Sequence, residues 1–179
     1  VESGEVTIKL DTTGEVTITG DGKVVDISGN VITSGTARFE GGKLTHLDGQ
    51  ATINEFEIDG QDIKVDGDTL TASSVTINGK EYSSLGDGET TFELGDKGVI
   101  INGNFESDGI KYNGYVRMID EERIMLGPDT SYESEDTNIR VGSFTMVTTN
   151  AANCEENCII VSPAEIQVVK PTGNVDVKT

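Results

Sequence analysis

The chain has 179 residues, which is enough for one domain with a full core and short for two. It carries 13 Lys and Arg against 32 Asp and Glu, and the net charge of −19 repels phosphate backbones, which argues against nucleic-acid binding. No stretch approaches the roughly 18 apolar residues that a membrane span needs. The chain begins at Val1, which we interpret as the start of a mature or excised piece of a longer precursor.

Short alternating apolar pairs recur along the whole chain, and sustained helical spacing of apolar residues is absent. In a strand, residues two apart face the same side, so each pair predicts one buried strand face. Because β-branched residues dominate these pairs, the sequence predicts an all-β fold without an α-helix longer than one turn. In chain order the clearest pairs are Ile8 and Leu10, Val16 and Ile18, Ile63 and Val65, Val75 and Ile77, Phe92 and Leu94, and Ile139 and Val141.

The pairs are separated by Asp-Gly and Asn-Gly dipeptides, which are typical of turns because both residues tolerate positive φ. We interpret each dipeptide as a hairpin turn or a corner between strands. They are Asp21-Gly22, Asp48-Gly49, Asp59-Gly60, Asp66-Gly67, Asn78-Gly79, Asp87-Gly88, Asn102-Gly103, Asp108-Gly109 and Asn113-Gly114.

Apolar residues can also be aligned in columns at about 22–23 residues, one of which runs Val25, Leu47, Leu70, Phe92, Val116, Ile139 and Val161. A strand and its turn together occupy only about seven or eight residues, less than the roughly 8–12 typical of sandwich strands. The spacing predicts a three-sided β-solenoid of about 22–23 residues per coil, with an antiparallel β-sandwich as the alternative. In architecture, the chain resembles right-handed parallel β-helix proteins, and it matches no catalytic or binding motif of a particular family.

The final segment differs in composition. The glycines become sparser after Pro128, and the two cysteines, Cys154 and Cys158, enclose three residues. We interpret 1–179 as a single β-solenoid domain whose last coils and a Cys-closed loop lie in 129–179. The only His, His46, lies far upstream, so a zinc site lacks ligands and the cysteines are predicted to form a disulfide or to remain free thiols. An even count in a chain of secreted character favours the disulfide.

A corner of the predicted coil would stack Asp66, Asp87 and Asp108 about 4.8 Å apart. The carboxylates would either splay into solvent or hold a Ca²⁺ between them. No other cofactor is expected. His46 is interpreted as a surface residue, because Leu44-Thr45-His46-Leu47 places it on the outward side of a strand.

The function that fits this pattern is a non-catalytic extracellular or cell-surface module: a stalk, a spacer or an adhesive display segment of a larger protein. Its partners would be neighbouring domains of the same chain or surface glycans. One alternative is a polysaccharide-binding or polysaccharide-cleaving β-helix domain, since paired carboxylates are abundant. Trp is absent and aromatic residues make up 5% of the chain, which weakens that alternative because glycan stacking uses exposed aromatic rings. A further alternative is a β-sandwich filament subunit.

Overall fold

The computed structural model describes residues 7–10, 15–19, 23–86, 89–96, 98–163 and 165–178. These residues form nineteen strands and a single 3₁₀ turn, η1, at Ala151–Asn153, and they contain no α-helix. None of the described helical residues forms a segment long and apolar enough to cross a bilayer. The all-β prediction is confirmed.

The contacts divide the chain into two compact units, Val1–Leu94 and Gly95–Thr179. The strands of the first unit are β1 (Thr7–Leu10), β2 (Glu15–Thr19), β3 (Val24–Val25), β4 (Val31–Glu40), β5 (Lys43–Ile53), β6 (Phe56–Asp66), β7 (Thr69–Ala72), β8 (Ser74–Ile77), β9 (Lys80–Ser84) and β10 (Thr90–Gly95, whose last residue begins the second unit). The strands of the second are β11 (Gly98–Ser107), β12 (Ile110–Met118), β13 (Arg123–Leu126), β14 (Thr130–Glu133), β15 (Asn138–Val141), β16 (Thr145–Thr148), β17 (Cys158–Val161), β18 (Ile166–Val169) and β19 (Val175–Lys178).

The predicted β-solenoid is wrong, and with it the resemblance to parallel β-helix proteins. The structure is an all-β fold with a closed six-strand antiparallel barrel and additional antiparallel strands, so the sandwich alternative is also replaced. Among the described strand pairs whose residue register is given, β16 and β17 run parallel and the others run antiparallel. A parallel solenoid would need stacked coils, and the hairpin partners occupy the positions that those coils would take.

The physical reason for the error lies in four of the dipeptides that were interpreted as hairpin turns or corners. Asp48-Gly49, Asp59-Gly60, Asn102-Gly103 and Asn113-Gly114 lie inside strands of nine to eleven residues, not between strands. Gly49 pairs with Gly35 of β4 on one side and with Gly60 of β6 on the other. In the second unit, Gly103 pairs with Gly114. Glycine at facing positions lets the two backbones approach closely and lets the sheet bend without ending a strand.

At these glycines the long strands exchange partners. Before Gly35, β4 pairs with β3, and from Gly35 onward it pairs with β2. In β6, Ile58 and Asp59 pair with β8, and the residues from Lys64 onward pair with β7. In β12, Lys111–Asn113 pair with β14 and Val116–Met118 pair with β13. Each long strand therefore pairs with one neighbour before its bend and with another neighbour after it. In this way one strand belongs to two sheet segments, and the antiparallel sheet can turn a corner.

Three of the described turns do match the interpretation as hairpin turns. Gly67 lies between β6 and β7, Asn78-Gly79 between β8 and β9, and Asp108-Gly109 between β11 and β12. Asn78 has φ 50° and Gly79 has φ 83°, the two positive values that a type I′ turn requires.

The core of the first unit is a row of aliphatic residues on the inner faces of adjacent strands. Ile32, Ala51, Ile58 and Ile77 are cross-strand partners in β4, β5, β6 and β8, and all four are buried. Their packing keeps the polar residues at alternate positions on the outer face. A shift of one residue in the pairing of two strands would turn the apolar side chains of one strand to the outer face and its polar side chains to the core. The hydrophobic pattern therefore fixes the register of the strands.

The second unit contains an aromatic cluster. Phe105 stacks on Tyr112 with ring centroids 5.0 Å apart, and Tyr112 meets the edge of Tyr132 at 5.4 Å. All three residues are buried. Burial raises the pKa of the Tyr132 phenol above its usual value of 10.0, because the phenolate would lose its hydration.

This shift predicts a loss of stability in alkali. The unfolded chain ionises Tyr132 near its ordinary pKa of 10, and the folded protein keeps the phenol neutral to higher pH. The contribution is therefore complete below pH 10 and decreases as the pH rises through the folded pKa. Tyr132→Phe should lose less stability between pH 8 and pH 11 than the parent in urea unfolding, and Tyr115→Phe, the control, should match the parent. Equal alkaline losses in Tyr132→Phe and the parent would contradict the assignment.

Candidate functional site

Cys154 and Cys158 are joined by a disulfide in the structure. Cys158 begins β17 and is fully buried, and Cys154 directly follows η1. The bond lies at the crossover between β16 and β17, the parallel pair. Parallel neighbours ordinarily need a connection of a dozen or more residues, and residues 149–157 make this one shorter. The disulfide therefore closes a tight crossover.

Polar side chains hold the same crossover against the turn between β12 and β13. The amides of Asn150 and Asn153 donate to Glu122 Oε2 at 3.2 and 3.1 Å. The Asn153 amide also lies 3.2 Å from Thr148 Oγ1, and the backbone N–H of Thr149 donates to the Glu122 carbonyl. With its polar groups satisfied internally, this cluster has a structural role.

Replacement of both cysteines by alanine should cost about 2 kcal/mol or less, because the loop that the bond closes is short. Alanine is chosen since Cys158 is buried and a serine hydroxyl there would add a desolvation cost. Urea unfolding measures the loss. Alkylation of the unfolded parent without reductant, followed by mass measurement, should add no alkyl group; the addition of two would contradict the bond.

The stacked carboxylates that were predicted to bind calcium depended on the solenoid corner. Asp66 is the last residue of β6, Asp108 has φ 52° in the hairpin turn between β11 and β12, and Asp87 lies outside the described residues. Asp66 and Asp108 thus belong to separate antiparallel hairpins, in different units. No group of three or more His, Cys, Asp or Glu within the described ranges is arranged to hold a metal ion. The solenoid corner from which the ladder was predicted is therefore absent from the fold, and calcium binding by these residues stays a prediction.

His46 lies on the outer face of β5 beside two carboxylates. Its Nε2 is 3.2 Å from Asp48 Oδ2 and 3.6 Å from Asp62 Oδ1, and its side chain is 22% exposed. The backbone N–H of Asp62 donates to the other oxygen of Asp48. Asp48 lies at a bulge in the pairing of β5 with β6. The contacts among His46, Asp48 and Asp62 therefore stabilise an irregular stretch of the sheet.

Asp26 is a buried carboxylate that the sequence interpretation missed. It accepts hydrogen bonds from the backbone N–H groups of Ser28 and Asn30 at 2.9 Å, from the Asn30 amide at 3.1 Å and from the Leu44 N–H at 3.1 Å. The available signal was the run Asp26-Ile27-Ser28-Gly29-Asn30, in which an Asp precedes a Gly with positive φ. Because both carboxylate oxygens accept from the protein, Asp26 is part of the scaffold.

Two open hollows lie on the outer sheet faces. One, of about 380 Å³, lies over β4, β5, β6 and β8 in the first unit, and its polar lining includes Gln50, Glu57 and Asp59. The Gln50 amide donates to Asp59 at 3.2 Å. The other, of about 270 Å³, lies over β14, β15 and β19 in the second unit.

The hollow over β14, β15 and β19 is the candidate functional site, because two cations meet there on a strongly acidic chain. It is lined by Ser131, Asn138, Arg140, Asp176 and Lys178. The sequence signal for this site is the alternation of polar residues with buried ones, as in Asn138-Ile139-Arg140-Val141, where Ile139 and Val141 are fully buried. Comparison of the chain with family models, with curated proteins and with solved structures gives no match.

Proposed function

We propose that the chain is an extracellular, non-catalytic module that displays a polar sheet face as part of a larger surface protein. The observation that carries this proposal is the use of the buried polar groups. Both carboxylate oxygens of Asp26 accept hydrogen bonds from backbone N–H groups. The buried hydroxyl of Thr130 accepts from the N–H of Tyr115 and donates to the carbonyl of the same residue. The polar groups of these two buried side chains therefore serve the fold, and the polar side chains of the outer faces remain for recognition.

Two further properties support an extracellular setting. The Cys154–Cys158 disulfide is typical of proteins that fold in an oxidising compartment. The net charge of −19 keeps edge strands from pairing between molecules, which favours a surface module that stays dispersed.

The location is tested on intact cells of the organism that makes the protein. An antibody raised against the folded chain should label intact cells as strongly as permeabilised cells, and an antibody against a cytosolic protein should label permeabilised cells alone. In the same lysates, prepared with alkylating agent present, Cys154 and Cys158 should remain unmodified. Labelling confined to permeabilised cells, with both cysteines alkylated, would contradict the proposal.

A polysaccharide-cleaving activity is the second candidate, since Glu57 and Asp59 lie two residues apart on one strand at the larger hollow. Incubation with neutral and acidic polysaccharides should release no reducing ends. Release that disappears in a Glu57→Gln variant would favour the enzyme over the display module.

A further inference from the structure

The face that carries the hollow over β14, β15 and β19 is fixed by the core beneath it. Ser131, Arg140 and Asp176 are cross-strand partners in one row, and Asn138 pairs with Lys178 in the next. The alternate row, Tyr132, Ile139 and Val177, turns to the other side, where Tyr132 and Ile139 are buried. Because the strand period is two, the lining residues must all face outward together.

The charge of this hollow contrasts with the charge of the chain. Two cations, Arg140 and Lys178, flank one carboxylate, Asp176, in a molecule of net charge −19. Arg38, Lys64 and Arg123 each form an ion pair with a carboxylate. Arg140 and Lys178 form no ion pair with a carboxylate of the residues that the structure describes. Both cations are exposed and can meet an anion from solution.

The neighbouring row moderates this charge. Lys111, Glu133, Asn138 and Lys178 follow one another across β12, β14, β15 and β19, and Glu106 of β11 faces Lys111. Glu133 is therefore the cross-strand neighbour of the lining residue Asn138, on the side of β14. A ligand of high negative charge would meet both Glu133 and Asp176, so the surroundings favour a ligand with a single negative charge.

The chemistry of the lining defines the ligand further. An Arg guanidinium binds a carboxylate through two parallel N–H donors, and Lys178 adds a third donor. The Ser131 hydroxyl and the Asn138 amide can each donate or accept, and Asp176 accepts from hydroxyl groups. A volume of about 270 Å³ is just below the range of roughly 300–1,000 Å³ for drug-sized ligands. One carboxylate, several hydroxyls and the size of one ring together describe a carboxylated sugar.

We propose that the hollow over β14, β15 and β19 binds a sugar unit that carries a carboxylate, with Arg140 and Lys178 holding the carboxylate and Asn138, Ser131 and Asp176 holding hydroxyl groups. Such units occur in acidic glycans, so the site gives the displayed face a class of partner. The binding inference rests on the geometry of the second unit and stands even where the cellular location differs from the proposed one.

The test is a titration of the full chain with glucuronate, followed by amide chemical shifts. Glucuronate should shift the amides of β14, β15 and β19 with a Kd of about 1 mM, which corresponds to a binding free energy of about −4 kcal/mol. Glucose, which lacks the carboxylate, should bind at least about tenfold more weakly, because the charge-assisted bonds to Arg140 are lost. Inorganic phosphate at equal ionic strength should also bind more weakly, since Glu133 and Asp176 repel it.

Variants decide whether the named residues are responsible. Arg140→Gln removes the charge at an exposed position and should weaken glucuronate binding at least about tenfold while the amide spectrum stays dispersed. Arg38→Gln, which changes an exposed arginine in the first unit, should leave the affinity unchanged. Asp176→Asn should raise the affinity for phosphate. Equal binding of phosphate and glucuronate, shifts elsewhere on the chain, unchanged affinity in Arg140→Gln or no shifts at all would overturn the proposal.

Discussion

Replacement of Gly49 by alanine is expected to destabilise the protein by more than about 3 kcal/mol, a large loss for the addition of one methyl group at a half-buried position. A Cβ at Gly49 would collide with the backbone carbonyl oxygen of Ser34 and would lie 2.8 Å from the Cα of Gly35. These are backbone atoms of the paired strand, so neither can rotate away. Because Gly35, Gly49 and Gly60 form one row across β4, β5 and β6, the collision would force apart the bend on which the first unit depends.

Chemical unfolding, followed by circular dichroism, measures this loss. Gly95→Ala is the matched control, because its added Cβ would meet only the carbonyl oxygen of Gly98 at an ordinary 3.8 Å. The control should remain within about 0.5 kcal/mol of the parent. Equal stabilities for Gly49→Ala and Gly95→Ala would show that the backbones of β4 and β5 do not approach this closely at Gly49.

The second large effect is expected at Asp26. Asp26→Ala removes an acceptor that binds four N–H groups, and the Leu44 N–H is left buried without a partner. Hydrogen bonds to a charged group contribute about 1.5–3 kcal/mol each, so the total loss should be about 3–5 kcal/mol after the loop relaxes. Hydrogen exchange should show faster exchange of the Leu44 and Asn30 amides.

Two variants separate the lost hydrogen bonds from the change in charge. Asp26→Asn keeps one acceptor oxygen but presents an NH₂ group to neighbouring N–H donors, so its stability should fall between that of the parent and that of Asp26→Ala. Asp136→Ala removes an exposed carboxylate and should change stability by less than about 0.5 kcal/mol. A loss at Asp26→Ala no larger than at Asp136→Ala would mean that this carboxylate does not organise the loop.

The strands were predictable from the sequence, and their lengths were not. In β11, the buried residues Val99, Ile101, Phe105 and Ser107 alternate in phase through Gly103. Tyr112, Val116 and Met118 do the same through Gly114 in β12. A turn would break this phase, so unbroken alternation across a glycine indicates a bent strand. Because every Asn-Gly and Asp-Gly was interpreted as a hairpin turn or a corner, these long strands were predicted as short ones, and the short strands suggested a solenoid.

The columns of apolar residues also have a physical origin, in hairpins of similar length. Phe92 and Leu70 belong to one predicted column and are true neighbours, but they are antiparallel partners of β10 and β7. Leu47 of the same column pairs with Ile63, which lies outside that column. The regular spacing of apolar residues therefore reflects recurring hairpins of similar length. This spacing does not indicate whether neighbouring strands run parallel or antiparallel.

The candidate site depended on pairing that the sequence does not contain. Arg140 and Lys178 were recognisable as outward residues, because each alternates with buried or half-buried valines and isoleucines. Their approach requires β15 and β19 to be neighbours across more than thirty residues of chain, and this follows only from the sheet order. The disulfide was easier to predict, since two cysteines in a short segment leave few alternatives.

The measurement that tests the antiparallel fold most directly is the pattern of NOEs between backbone protons of neighbouring strands. The antiparallel fold predicts contacts of Ile101 with Val116 and of Phe105 with Tyr112, in which one residue number rises as the other falls. In the first unit, contacts of Ala51 with Ile58 and of Ile53 with Phe56 should show the same reversed order. Contacts in which both residue numbers rise together, at a constant separation of about 22–23 residues along the chain, would contradict the fold and restore the stacked coils.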